Sequence, residues 1–384
     1  MTALQFAIPF PELGPEMAAP TLPPALAQRL AERPVFAFYS KSRANKDAFV
    51  DLLRERHTGR PFVYLCPKTA VAHVRARFPG MMVVALEDFT KRDVFLRLHA
   101  VVGRETVLIM ENVSRYTILS SDKFNFLHRL RMATENRYLI DITPFTKAVH
   151  KLYLPLSYLE RDILQYSNGW SFEYNYLEMD DAGRPRQAHD FDFLAEKVGP
   201  WCYIDYDGFL PPVELVDSTL TAAEQEAYAA RKAVLFEEYD NPRKIVTEIC
   251  DCANMMGSRY ESLAGLLDSL EGPAVIYTNI VKNNPLIKRA LRAAGCRARP
   301  RFLTYMTHPC TPIEEQHIIF FETPINQNQV AALDALADVR PGATVYLFRN
   351  DAKADQFIFN EVWPEWQAID GLTKELWKQQ KTTA

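Results

Sequence analysis

The sequence predicts an α/β protein with two consecutive parallel-sheet units and an aromatic-rich insertion between them. Three observations carry that expectation. Short, wholly apolar runs recur along the chain, as strands buried on both faces require. Helical patterns separate most of these runs, and such alternation means a parallel sheet with ligands at the carboxyl ends of its strands. The chain of 384 residues is also too long for one small domain.

The elements follow in order. Residues 1–30 are rich in proline (Pro9, Pro11, Pro15, Pro20, Pro23, Pro24) and read as an extended arm with one short helix. The first unit, residues 31–215, opens on the run Val35–Tyr39 after Pro34. A polar loop Ser40–Asn45 and a helix from Lys46 to Arg56 come next. Further strands are expected at Phe62–Cys66, Met82–Leu86, Thr106–Met110 and Arg137–Ile140. From about 151 to 210 the rhythm breaks into an aromatic and acidic insertion, for example Trp170–Tyr176. A long helix from Thr221 to Tyr239 has Glu224 three residues after Thr221, the spacing of a capping box. The second unit, 216–355, alternates again. It reads as strands Ala274–Tyr277, Phe302–Tyr305, His317–Phe321 and Thr344–Phe348, with helices over Pro285–Ala294 and Asn328–Ala337. Residues 356–384 form a C-terminal tail whose Trp363, Trp366 and Trp377 suggest docking to a partner or folding back on the second unit.

Composition narrows the function. With 44 Lys and Arg against 48 Asp and Glu, the net charge is −4. A nucleic-acid partner is not advertised globally, although a local basic groove remains open. No run of 18 apolar residues exists, so no membrane span is expected. The N-terminus lacks a basic, then apolar leader. The six cysteines are scattered, and Cys250-x-Cys252 is too tight for a zinc half-site, so no metal site is expected. These features place the chain in a cytoplasm. Glycine is scarce, with 14 in the whole chain and none between Gly14 and Gly59. That gap disfavours a glycine-rich phosphate cradle near the N-terminus.

The candidate chemistry sits at three strand ends. A phosphate loop reads Gly-x-x-x-x-Gly-Lys-Ser/Thr between a strand and a helix. Here the eight positions are Ser40-Lys41-Ser42-Arg43-Ala44-Asn45-Lys46-Asp47. The lysine fits, but both glycines are missing and Asp47 stands where a magnesium-binding hydroxyl belongs. Glycine matters there because the backbone wraps phosphate with positive φ. The fourth strand runs into Glu111-Asn112, where a motor carries Asp-Glu; Glu111 can face a cation, but Asn112 cannot act as a base. The fifth ends in Asp141-Ile142-Thr143-Pro144, where Leu-Thr-Gly-Thr-Pro is the helicase form.

In order and spacing these segments resemble the Swi/Snf-like branch of superfamily-2 helicases, in the compact form that tailed phages encode. Tyr64–Thr69, Glu111–Phe124 with Ser120–Lys123, Leu152–Tyr176, Leu210–Tyr228, Ser262–Leu267, Ala274–Asn279 and His317–Phe321 with Gln327 and Gln329 carry the resemblance, over about residues 33–365. It implies two tandem RecA-like domains, with ATP and magnesium as cofactors where the motifs are intact. They are not: the helix after Gln329 has no arginine until Arg340, whereas a finger arginine contributes about 10³–10⁵ in rate. Cradle, metal hydroxyl, general base and finger are all impaired. No catalytic residue is therefore expected: Lys46, Glu111, Asn112 and Thr143 are degenerate counterparts, and Lys46, Asp47 and Glu111 are what remains for a nucleotide. Expected nucleic-acid contacts are Lys68, Lys282, Lys288, Arg292, Arg297, Arg299 and Arg301.

Three functions stay open. One is an ATPase-defective, nucleic-acid-binding or scaffold subunit of a phage replication, recombination or transcription complex, with DNA the expected partner and no cofactor needed. Another is an active translocase in which Lys46 holds phosphates and Glu111 magnesium. The third is a helicase fold kept to bind a host protein. Protein partners are expected in the first and third, a membrane in none.

Overall fold

The structure, a computed structural model, describes residues 22–89, 91–113, 121–144, 152–166, 168–179, 185–188, 191–206, 213–279, 281–304, 313–322, 342–357, 359–360, 371 and 373–380. Trp363, Trp366, Leu210–Pro212, Gln327, Gln329 and the whole segment from Val330 to Arg340 lie outside it, as do the first 21 residues of the proline-rich arm.

The end of that arm is a helix, α1 (Pro24–Ala31), with proline in its first turn, where a missing N–H costs nothing. It buries Leu26 and Leu30 in the first unit's core. The chain continues through β1 (Val35–Ser40), α2 (Arg43–Arg56), β2 (Phe62–Cys66), α3 (Val71–Arg77), β3 (Met82–Ala85), α4 (Arg92–Val101), β4 (Val107–Glu111), α5 (Ser121–Ala133) and β5 (Asn136–Asp141). The insertion folds as α6 (Tyr153–Leu159), α7 (Gly169–Tyr176), the hairpin β6 (Leu177–Met179) and β7 (Pro185–Ala188), and α8 (Phe191–Val198). It returns as β8 (Cys202–Asp205). The six long strands form a sheet of order β3-β2-β4-β5-β1-β8, parallel throughout.

Both faces of this sheet are buried, and strand alternation sorts its side chains. Phe36, Phe38 and Tyr64 join the core on one face; Ala37, Tyr39 and Leu65 join the other. Each fully buried Phe or Leu contributes about 1.5–3 kcal/mol. In register, Tyr39 meets Asp141 and Ser40 meets Asp205. The carboxyl ends of β1, β5 and β8 are thus level.

The second unit begins with β9 (Val213–Ser218), a strand that straddles residue 216. The chain then runs through α9 (Ala222–Glu238), α10 (Pro242–Asn254), α11 (Gly257–Ser269), β10 (Ala274–Thr278), α12 (Asn284–Ala293), β11 (Arg301–Thr304), β12 (His317–Phe320), β13 (Thr344–Asn350) and α13 (Lys353–Phe357). Its five strands are parallel in the order β11-β10-β12-β13-β9. The expected capping box is present: the Glu224 N–H donates to Thr221 Oγ1 and the Thr221 N–H to Glu224 Oε2, at 3.3 and 2.9 Å. The fold is therefore two tandem parallel-sheet α/β units with an insertion, as the alternation predicts.

The tail departs from expectation. Residues 373–380 are helical and dock on the first unit, not the second. Leu376 is 1% exposed within the first unit's core, and Trp377 meets Tyr206 at 5.6 Å. The Gln380 carboxamide acts as a substitute strand: its Nε2 donates to the Cys202 carbonyl and its Oε1 accepts from the Ile204 N–H, both at 3.0 Å. That satisfies part of the open ladder of the edge strand β8. Among the described residues no helix is long and apolar enough to cross a membrane.

Candidate functional site

The first correction to the sequence reading is local. The segment Ser40–Asn45 is not a loop, because α2 starts at Arg43, three residues earlier than expected. Ser42 is its N-cap, and Ser42 Oγ accepts from the Asn45 N–H at 3.1 Å. Only Lys41 and Ser42 separate strand from helix. Among the described residues, positive φ outside glycine occurs at Asn112 and Gln165; none of Ser40–Asp47 has it. With no glycine available, the chain takes the shortest strand-to-helix path and builds no wrapping cradle.

The polar groups at this turn are bonded within the protein. Ser40 Oγ and Asn45 Nδ2 both donate to Asp205 Oδ2 at the end of β8, at 2.7 and 2.5 Å. A carboxylate of the protein thus takes the hydrogen bonds that these groups would offer an anion.

Within this turn, Arg43 joins Asp47 on its own helix to Glu111 at the end of β4. Its Nε and one terminal nitrogen donate to Asp47 Oδ1 at 2.9 and 2.6 Å, and its other terminal nitrogen to Glu111 Oε1 at 2.6 Å. The remaining carboxylate oxygens are also engaged. His73 Nε2 lies 2.7 Å from Asp47 Oδ2, and the Tyr64 hydroxyl donates to Glu111 Oε2 at 2.9 Å. Side-chain exposures are 16% for Arg43, 11% for Asp47 and 4% for Glu111. Burial alone would raise the Asp47 carboxyl, but the His73 hydrogen bond and Arg43 outweigh it and hold the carboxyl below its usual value. For Arg43, burial opposes the charge, and Glu111, Tyr64 and Asp47 overcome that opposition and raise its pKa. Burial, with Glu111 beside it, raises the Tyr64 phenol well above its normal range.

The other expected site residues fall around this network. Lys46 is buried on α2 at 5% exposure. Asn112 is buried at φ 55°, a conformation Asn tolerates better than most residues, with its N–H donating to the Ile140 carbonyl at 2.8 Å. Its side-chain oxygen has no partner among the described residues. Thr143 Oγ1 lies 2.6 Å from Thr373 Oγ1, so the third motif position meets the C-terminal helix. Of the aromatic run, Phe172 is core, packed on Tyr153 and Tyr166 at 5.7 Å each, whereas Tyr174 is exposed.

The seven expected nucleic-acid contacts do not form one surface. Lys68 and Lys282 follow β2 and β10, at the carboxyl ends of different sheets. α12 runs back across its sheet, so Arg292, Arg297, Arg299 and Arg301 lie at the amino end of β11, with Lys288 on the helix between. Arg301 is engaged by both carboxylate oxygens of Glu315, at 2.5 and 2.7 Å.

Sequence reasoning missed the clamp of the second sheet. Arg259 is fully buried. It pairs with Asp355 at 2.8 Å and donates to the Phe321 and Phe348 carbonyls at 2.6–3.1 Å. Nearby, buried Glu322 accepts from Asn283 Nδ2 at 2.7 Å and from the Asn279 N–H. Burial raises its carboxyl. Arg259 lies 96 positions from Asp355, and no local pattern links them.

No family model matches the chain, and no curated protein matches it. Solved structures do. The Sulfolobus solfataricus SWI2/SNF2 ATPase core in complex with dsDNA is 12% identical, over 92% of this chain and 93% of that one, with a TM-score of 0.42. The core domain from the same organism is 12% identical over 87% and 86%, at 0.38. S. cerevisiae Dbp5 bound to RNA and ADP BeF3 is 9% identical over 89% of each chain, at 0.47. At identities this low, the chemistry of the site has to be read from this chain's own residues.

Proposed function

We propose that the chain is a helicase-like body that no longer hydrolyses ATP and serves as a nucleic-acid-binding or scaffold subunit of a phage replication, recombination or transcription complex. One observation carries the reading: the strand-to-helix turn at Ser40–Asp47 has no wrapping loop, and its polar groups and charges are satisfied from within. Asp205 takes the donors of Ser40 and Asn45. Arg43 takes the carboxylates of Asp47 and Glu111, which are the two groups a magnesium ion would need. These residues do not fit a magnesium nucleotide, because admitting one means breaking several charge-assisted hydrogen bonds at about 1.5–3 kcal/mol each. Nothing at the Asn112 position can serve as a general base.

The test is nucleotide binding and turnover on the full chain, with and without DNA. The expected result is no turnover above background and no magnesium-dependent nucleotide binding. Clear hydrolysis that disappears in Lys46→Ala would overturn the reading and restore the active translocase. Co-purification of a protein partner in the absence of any DNA binding would favour the helicase fold kept to bind a host protein.

A further inference from the structure

The corner between α12 and β11 is a built turn carrying an unusual charge. From Gly272 to Ile313 the chain has seven Lys and Arg and no Asp or Glu, in a protein whose net charge is −4. The backbone there is fixed. Gly295, at φ +75°, ends α12; its N–H bonds the Arg292 carbonyl at 3.1 Å and the Cys296 N–H bonds the Leu291 carbonyl at 3.0 Å, a glycine-terminated helix stop. Leu291 and Cys296 are buried together beneath it.

Lys288, Arg292 and Arg299 surround a pocket of about 230 Å³, several times the roughly 30 Å³ share of one water. Its floor is apolar, made by Leu291, Cys296, Ala298, Pro300 and Phe302, and no acidic side chain lines it. Lys288 Nζ sits 4.9 Å from the centre of the Phe302 ring. Arg299 is steadied by its own loop, one terminal nitrogen donating to the Arg297 and Ala298 carbonyls at 3.2 and 3.1 Å. The acids nearest to it are Asp268, which lines the adjoining pocket with Arg299 and hydrogen-bonds Cys296 from that side, and Glu315, which is engaged with Arg301. The helix dipole accounts for Arg292 in the last turn of α12, but not for Lys288 in mid-helix. Lys288 and Arg292 are i,i+4 like charges, an arrangement that costs a few tenths of a kcal/mol in an isolated helix. A bound anion reverses that cost.

We infer that this corner is a contact site for the phosphate backbone of a nucleic acid, held by Lys288, Arg292 and Arg299 at the amino edge of the second sheet. It lies at the opposite end of that sheet from the strand ends where an α/β fold ordinarily binds ligands. The inference rests on the nucleic-acid reading above and assigns it a surface. Base identity is not read here, since the contacts reach phosphate only.

The test is binding of the full chain to labelled single- and double-stranded DNA and to RNA across a salt series. In the triple variant Lys288→Ala/Arg292→Ala/Arg299→Ala, the slope of log affinity against log salt should fall by about 2–3, and affinity at about 0.1 M salt by about 100–500-fold. The double variant Arg292→Lys/Arg299→Lys, with Lys288 kept, should keep most of the slope, because charge and not packing carries the contact. Removing Arg97 and Arg104, exposed on the first unit, should leave it unchanged. All three residues of the site are exposed, so circular dichroism should show intact folding. If wild-type protein binds and the triple variant keeps its slope, this surface is wrong while the nucleic-acid reading stands. If wild-type protein binds no nucleic acid, both fall.

Discussion

Replacing Arg43 by alanine removes a cation that bridges Asp47 and Glu111, carboxylates whose side chains are 11% and 4% exposed. His73 and Tyr64 still hold one oxygen of each, but the ion pairs with Arg43 are gone. Breaking one side of a buried pair costs about 3–5 kcal/mol, a large part of the roughly 5–15 kcal/mol that holds a domain folded. With a urea slope of about 1–3 kcal/mol per molar, the midpoint of the first unit's transition should fall by about 1–5 M. Urea unfolding followed by circular dichroism reads this directly. The double variant Arg43→Met/Glu111→Gln should recover much of the loss, because it removes a charge along with its partner. The pH dependence has a defined sign. The Asp47 carboxyl is depressed in the folded protein, so its contribution is complete above the ordinary Asp value near 4 and is lost as pH falls through the lower, folded value. A cost for Arg43→Ala below about 1 kcal/mol, the range of exposed pairs, would refute the reasoning. So would stabilisation of the wild-type protein by magnesium and ATP together, since only a ligand of the folded site stabilises it by mass action.

Other expectations follow from buried groups. His57, 2.7 Å from the Tyr138 hydroxyl, is pushed down to about 4 by burial, helped by Arg56 and Arg60. The unfolded chain then takes the proton first, so stability is complete above about 6.5 and falls between there and about 4, by roughly 2 kcal/mol at pH 5; His57→Gln should flatten that slope in denaturation at pH 7.5 and 5. Arg259→Met takes the arginine from buried Asp355, costs about 3–5 kcal/mol, and should lower the melting temperature by about 10 °C in calorimetry. Leu376→Ala opens a cavity in the first unit's core from the far end of the chain, at about 2–5 kcal/mol. Limited proteolysis should then cleave the first unit faster while the second keeps its protection.

Much of the fold was legible because it is local. The apolar runs at Val35–Tyr39, Phe62–Cys66 and Ala274–Tyr277 are strands, since a strand buried on both faces has no polar side to hide. The Thr221–Glu224 box marked α9 for the same reason. The missing glycines agree with a Ser40–Asp47 backbone without positive φ, since backbone without glycine rarely turns that way. At Ser42 the expected loop gives way to a helix cap, because a serine ahead of an amphipathic run caps the helix as readily as it turns the chain.

What the sequence by itself determined is therefore the alternation of strand and helix and the absence of glycine from the turn after the first strand, both properties of neighbouring residues. Only the tertiary structure decided which distant groups meet. It brought Arg43 to Glu111 and Asp205 to Ser40 across the ends of the first sheet. It carried the tail's Leu376 and Gln380 back to the first unit. It also divided seven basic residues between opposite ends of the sheets. Side-chain periodicity fixes the face on which a residue lies, but sheet order and crossover direction fix the end of the sheet it reaches. Those depend on the packing of the whole core, which no short stretch of sequence encodes.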